Sequence, residues 1–295
     1  MLTTRVIEED GALRALVDGL AGGVEAAAEC ATALANIVVL GDTLAAERVA
    51  AEDGALRALV GGVAGGGEAA MSCAAALANI RRKSGALSAR VADEEGALPA
   101  LVEGLAGGGD VATACAAAVR LITLASKALS VRVVDVDGAL RTLVKVLAAG
   151  GTAAIDCAGT LRNIITAADD GALAARVAAK DGALRALVGG LAGGGNLEVM
   201  CMHALQTALY VETSAVAAAR ALARGLCDPR MATRARDVFL GPPLSLPFAA
   251  LAVLEAGAAA EAALEAKVAE LEAIPVNTRA AIVELAGAVC GGSDA

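Results

Sequence analysis

Apolar and polar positions follow a pattern that returns along most of the chain. Between residues 44 and 83, Leu44, Ala45, Val49 and Ala50 fall at helical spacing and run into Gly54, which predicts a short helix over Leu44–Asp53 ending on a left-handed cap. Leu56, Leu59, Val60 and Val63 then follow i, i+3, i+4, i+7 and predict a second helix over Ala55–Ala64. Gly65-Gly66-Gly67 breaks that pattern. A third helix is predicted from about Glu68 to Arg82, with Cys73, Leu77 and Ile80 as its buried stripe. Each of these helices is too short to be stable alone.

The same block recurs. Gly-Ala-Leu starts at Gly11, Gly54, Gly96, Gly138 and Gly182, in steps of 43, 42, 42 and 44 residues. Cysteine recurs at Cys30, Cys73, Cys115, Cys157 and Cys201 in the same steps, so each thiol follows its glycine by 19 residues. Two markers holding one register define a repeat array, in which stacked copies bury the faces that single copies cannot. Gly85-Ala-Leu and Gly171-Ala-Leu lie outside this register and read as incidental echoes.

Gly-Ala-Leu-x-Ala-Leu-Val, a glycine turn and then Ala-Leu-Ala-Asn-Ile resembles the armadillo repeat, most closely at Gly11–Val17 with Ala33–Ile37, Gly54–Val60 with Ala76–Ile80, and Gly182–Val188. The resemblance covers roughly residues 1–210. It implies an all-α fold, a right-handed α-solenoid of three-helix repeats whose third helices line a concave groove. HEAT repeats, with two helices, are the alternative, and the short first helix disfavours them. The expected organisation is five armadillo-type repeats over 1–210, a degenerate sixth over 211–240, a proline-rich connector over 241–247, and a helical cap or diverged repeat over 248–295. Met1-Leu-Thr-Thr-Arg-Val resembles Leu44-Ala-Ala-Glu-Arg-Val, so the chain opens inside a first helix. That suggests a fragment of a longer array, or an end face that pairs with something.

Composition removes several function classes. Of 295 residues 57% are hydrophobic, yet aromatics are only 1% and tryptophan is absent, so no base-stacking platform can be built. The 24 Lys+Arg against 33 Asp+Glu leave a formal charge of −9, which argues against nucleic acid as a partner. The mean hydropathy of +0.66 invites a membrane reading. The longest charge-free stretch, Val238 to Leu254, carries Gly241, Pro242, Pro243 and Pro247, so no membrane span is expected. Acids in the first ten residues exclude a signal peptide, and a cytoplasmic or nuclear protein is the expectation.

Candidate chemistry is sparse. Equivalent positions in stacked helices lie roughly 10 Å apart, beyond the ~7 Å a disulfide tolerates, so the repeat cysteines read as small core residues. Cys227 and Cys290 fall outside the register, and all seven thiols are expected to be free. His203 is the only histidine and lies two residues from Cys201 on one helix, so the side chains diverge. No metal site, cofactor or catalytic residue is expected: the glycine runs lack Gly-Lys-Ser/Thr, and no Gly-x-Ser-x-Gly occurs.

The third helices hold the best candidates. Counting from each cysteine, the positions one before, two after and six after form a row on a face away from the core stripe. The last of these carries Asn36, Asn79, Leu121, Asn163 and Thr207. By resemblance, Asn36, Asn79 and Asn163 match the groove asparagine of the family that holds a bound peptide's backbone. Thr32, Arg82, Lys83, Arg120, Arg162 and His203 are the expected groove rim, and the basic ones favour an acidic partner segment. Family members that act as nuclear-import receptors carry tryptophan four residues before that asparagine. Here those positions are Thr32, Ala75, Ala117, Gly159 and His203. The function expected is a non-catalytic protein-interaction scaffold that takes a protein or peptide partner. The alternatives are a nuclear-import-type adaptor, or a piece of a larger cytoskeletal or signalling armadillo protein.

Overall fold

The computed structural model describes residues 6–7, 9, 11–23, 26–83, 86–167, 171–210, 214, 217–218 and 221. The chain divides into two compact units, Met1–Ala167 and Ala168–Ala295. In the first unit, α1 (Ala12–Ala21) and α2 (Ala27–Leu40) are the second and third helices of repeat one. Repeat two is α3 (Thr43–Ala51), α4 (Ala55–Gly65) and α5 (Gly67–Lys83). Repeat three is α6 (Ala86–Asp93), α7 (Ala97–Ala106) and α8 (Gly109–Ala125). Repeat four is α9 (Lys127–Asp135), α10 (Ala139–Ala149) and α11 (Thr152–Ala167). The described part of the second unit is repeat five: α12 (Ala172–Ala179), α13 (Ala183–Gly190), a 3₁₀ turn (Leu191–Gly193) and α14 (Gly195–Tyr210). No strand occurs among the described residues. The expected sixth repeat, connector and cap lie outside the described residues, apart from a few helical positions between 214 and 221.

The corner between first and second helices explains the glycine register. Gly54 adopts φ 77° and ψ −5°, the left-handed region where a Cβ would collide with the backbone. The Ala55 N–H then donates back to the Glu52 carbonyl at 3.1 Å, and the Ala97, Ala139 and Ala183 N–H groups repeat this bond. Gly171 is no incidental echo. It takes φ 71° immediately before α12, so the same left-handed device also launches a first helix.

Repeats two to five bury three rows. Val49, Val91, Val133 and Val177 supply the first helices; Leu59, Leu101, Leu143 and Leu187 the second. Leu34, Leu77, Val119, Leu161 and Leu205, with Ile37, Ile80, Ile122 and Ile164, supply the third. In repeats one to three the second and third helices meet where a glycine faces the repeat cysteine; repeat four has Val146 at that place. A Cβ added to Gly19 would sit 2.7 Å from the Cys30 Sγ, and Gly62 and Gly104 stand equally close to Cys73 and Cys115. In the first unit the most extensive helix–helix contacts run between successive third helices. Buried Ala31, Ala35, Ala70, Ala74, Ala112, Ala116, Ala154 and Ala158 line those helices with small side chains that keep the backbones close.

Polar ties lock one repeat to the next. First-helix arginines reach back to the preceding first helix: Arg48 Nη1 to the Ile7 carbonyl at 3.3 Å, Arg90 Nη2 to Ala50 at 2.7 Å, and Arg132 Nη2 to Ala92 at 2.5 Å. They satisfy carbonyls that a helix C-terminus leaves without partners. On the second helices, exposed Arg14 and Arg57 pair with acids before the next repeat's glycine, at 3.6 Å to Asp53 and 3.5 Å to Glu94.

Two substitutions test this packing. Leu77, 1% exposed, sits in the third-helix core, so Leu77→Ala should cost about 2–5 kcal/mol in denaturant unfolding. An unchanged midpoint would contradict its place in the core. The Ser88 Oγ is fully buried without a hydrogen-bond partner, whereas the matching Ser130 Oγ donates to the Thr123 carbonyl at 3.1 Å. Ser88→Ala should therefore raise stability by about 1 kcal/mol and Ser130→Ala lower it by a similar amount. Parallel thermal melts read the difference, and a drop for Ser88→Ala would mean the hydroxyl is used.

Candidate partner-binding face

The candidate polar groups lie in the row of third-helix positions on a face away from the core stripe. Its asparagines do not stand alike. Asn36 on α2 is exposed and makes no side-chain hydrogen bond among the described residues. Asn79 on α5 is half-buried; its Nδ2 donates to the Ala75 carbonyl one turn back at 2.7 Å, and its Oδ1 accepts from Arg82 Nε at 3.0 Å. Asn163 on α11 reaches the previous third helix, donating through Nδ2 to the Arg120 carbonyl and to Thr123 Oγ1, both at 3.2 Å. Asn163 is therefore part of the joint between repeats three and four. Its Oδ1 keeps its acceptor capacity, and Asn79 keeps its second amide hydrogen.

The rim residues divide in the same way. Exposed Thr32 shares a 3.0 Å hydrogen bond with the buried Ser72 of the next third helix. Lys83 Nζ donates to the Gly41 carbonyl at 2.7 Å, across one repeat. Arg120 Nε donates to Asp156 Oδ1 of the next third helix. Arg162 is half-buried, and His203, in the second unit, is half-buried with its carbonyl accepting from Thr207 Oγ1 at 2.8 Å. Thr32, Lys83, Arg120 and Asn163 thus each have a structural partner in a neighbouring repeat, a role that spacing within one repeat cannot reveal.

Arg81 immediately precedes Arg82 on the same helix. It is half-buried on α5, and its Nε is closed off from water without a hydrogen-bond partner. Burial, then the nearby positive charge of Arg120, push its pKa below the usual guanidinium value.

The repeat thiols are core groups. Cys73, Cys115, Cys157 and Cys201 are fully buried, Cys30 is half-buried, and all five are free. Cys227 and Cys290 lie outside the described residues. Burial pushes the four buried thiols up to about 12, with the Asp156 charge adding to the effect at Cys157. Among the described residues no cluster of three or more His, Cys, Asp or Glu side chains could hold a metal ion, and no helix is long and apolar enough to cross a membrane.

Solved structures place this arrangement in a class: the chain has an armadillo-like repeat fold, an all-α solenoid. It is similar to the designed armadillo repeat protein YIII(Dq)4CqI at a TM-score of 0.63 and 21% identity, over 77% of this chain and 98% of that one. An engineered protein aligns at a TM-score of 0.64 and 27% identity, over 79% of this chain and 98% of that one. A third, the designed armadillo repeat protein YIII(Dq.V1)4CPAF in complex with the peptide (KR)4, aligns at 0.58 and 20% identity, over 77% and 98%. No family model matches the chain, and no curated protein matches it.

The raised thiol values carry a pH dependence with a definite sign. The fold holds the protonated thiols, and the unfolded chain gives up its protons first, near pH 9. Their stabilisation is complete below about pH 9 and is lost as pH rises toward 12, by about 1.4 kcal/mol per thiol per pH unit. The melting temperature should stay level from about pH 7 to 8.5 and fall steeply above 9. In Cys73→Ala/Cys115→Ala/Cys157→Ala that alkaline fall should be shallower. An identical slope would remove the thiols from the account.

Proposed function

We propose that the protein is a non-catalytic scaffold that holds an extended peptide segment of a partner protein across the face formed by its third helices. The observation that carries this reading is the row of half-exposed polar groups on successive, closely packed third helices. Asn36, the free amide hydrogen of Asn79 and the free acceptor of Asn163 recur once per repeat, at Asn36, Asn79 and Asn163 with a gap at Leu121. An amide side chain donates and accepts at once, which suits the alternating groups of an extended backbone. Thr32, Arg82, Lys83, Arg120 and Arg162 are the proposed rim of this row in the first unit, and His203 is the matching candidate in the second. The structural neighbour that holds a peptide supports the same use of the fold. Reduced, buried thiols suit the cytoplasm or nucleus as the working compartment.

Selection of a random-peptide display library on the full chain tests the reading. Enriched peptides should lose roughly fivefold or more in affinity for Asn36→Ala/Asn79→Ala, from two hydrogen bonds worth about 0.5–1.5 kcal/mol each. Arg57→Ala/Arg141→Ala, on the exposed side of the second helices, should leave their affinity within about twofold. Peptides indifferent to the asparagine pair, or failure to enrich any, would overturn the assignment of this face.

A further inference from the structure

The chain is acidic overall, yet one part of its surface has the opposite character. The C-terminal halves of the third helices in repeats two to four, residues 75–83, 117–125 and 159–167, carry Arg81, Arg82, Lys83, Arg120 and Arg162 and no acid. Cations at a helix C-terminus complement its dipole, which accounts for Arg82 and Lys83 in the last turn of α5. It does not account for Arg120, which stands well inside α8, nor for the state of Arg81. Asp156 is the acid seen against this cluster, and it is already taken by Arg120 Nε. Arg81 has no such counter-charge among the described residues: its Nε is buried without a partner, and the nearby positive charge of Arg120 disfavours its own. Two nearby like charges at partial burial are unfavourable, and an anion between them relieves the repulsion.

We propose that this cluster is a carboxylate subsite, and that the segment held on the third-helix face is acidic, seating an Asp or Glu side chain between Arg81 and Arg120. The proposal rests on the reading of that face as the binding site and names the chemistry of its occupant. A guanidinium pairs with a carboxylate through two parallel N–H donors; with Arg81 Nε buried and Arg120 Nε on Asp156, the Nη groups of the two arginines are the donors left for it. Exposed Val39 and Leu124 occupy the positions matching Arg82 in the repeats on either side, so apolar residues flanking the acid find apolar contacts. The polarity is opposite to that of the (KR)4 peptide held by the designed neighbour. The net charge of −9 makes the test stringent, because long-range attraction favours a cationic ligand.

Fluorescence anisotropy of the full chain with labelled (Asp-Glu)4, (Lys-Arg)4 and neutral (Ser-Gly)4 peptides decides it. The acidic peptide should bind at least about tenfold tighter than the other two, and weaken as salt rises from about 0.05 to 0.5 M. Arg81→Gln should weaken it about fivefold or more and Arg81→Glu further, while Arg57→Gln leaves it unchanged. Because Arg81 Nε has no partner to lose, Arg81→Gln should keep the parent melting temperature, which separates lost binding from lost fold. Preference for the cationic or neutral peptide, no binding by any of the three, or indifference to both Arg81 variants would overturn the acidic assignment. The library selection judges the face independently. Enriched peptides that are asparagine-dependent but not acidic would keep the face and discard the carboxylate.

Discussion

A helix of eight to eleven residues with leucine and valine along one side gains too little from its own hydrogen bonds to persist in water. It persists here because a copy of itself lies alongside. Leu59 and Leu101 sit on successive second helices that pack against each other and against their own third helices, and neither is exposed. The recurring glycines, alanines and first-helix arginines of the described residues serve that mutual burial. The left-handed glycine turns each first helix sharply into a second, and the glycine opposite the repeat cysteine lets second and third helices close. The alanines allow third helices to approach, and the first-helix arginines occupy carbonyls that would otherwise end in water. In such an array stability is close to a sum of nearest-neighbour terms, so these joints matter more than any single long-range contact.

The joints and the candidate binding face share residues. Asn163 holds the third helix before it, and Arg120 holds the one after. Thr32 and Ser72 bond across repeats, as do Thr113 and Thr152 at 2.9 Å. A partner lying across this face would touch the groups that set the spacing between repeats. Binding and stacking are then coupled through the same hydrogen bonds. Repeat three, with Leu121 where its neighbours have asparagine, carries Arg120 there, next to the basic end of the preceding third helix, so the gap in the amide row lies beside the positive charge.

Much of this could be read from the residues alone, and for clear reasons. Helical spacing of Leu56, Leu59, Val60 and Val63 placed α4 to within a residue at its C-terminus, because an amphipathic stripe is a local property. The recurrence of Gly-Ala-Leu and of cysteine located the repeats, because only glycine is comfortable at that corner and only a small residue fits against Gly62 or Gly104. What escaped was the purpose of Gly171, of the first-helix arginines and of Arg81. The arginines were visible as a series, Arg48, Arg90 and Arg132 each six residues before their glycine, but nothing local says that a guanidinium will reach a carbonyl about forty residues away.

The residues by themselves therefore determined the helices, the length of the repeating unit, the identity of its core and the absence of aromatic or strongly basic character. These follow from periodicity and side-chain size, which act over one or two helical turns. Tertiary structure alone decided which polar side chains are spent on holding neighbours together and which are left for something else. Asn36, Asn79 and Asn163 occupy one place in the repeat and have three different fates, because each fate depends on the atoms that the adjacent copy brings within about 3 Å.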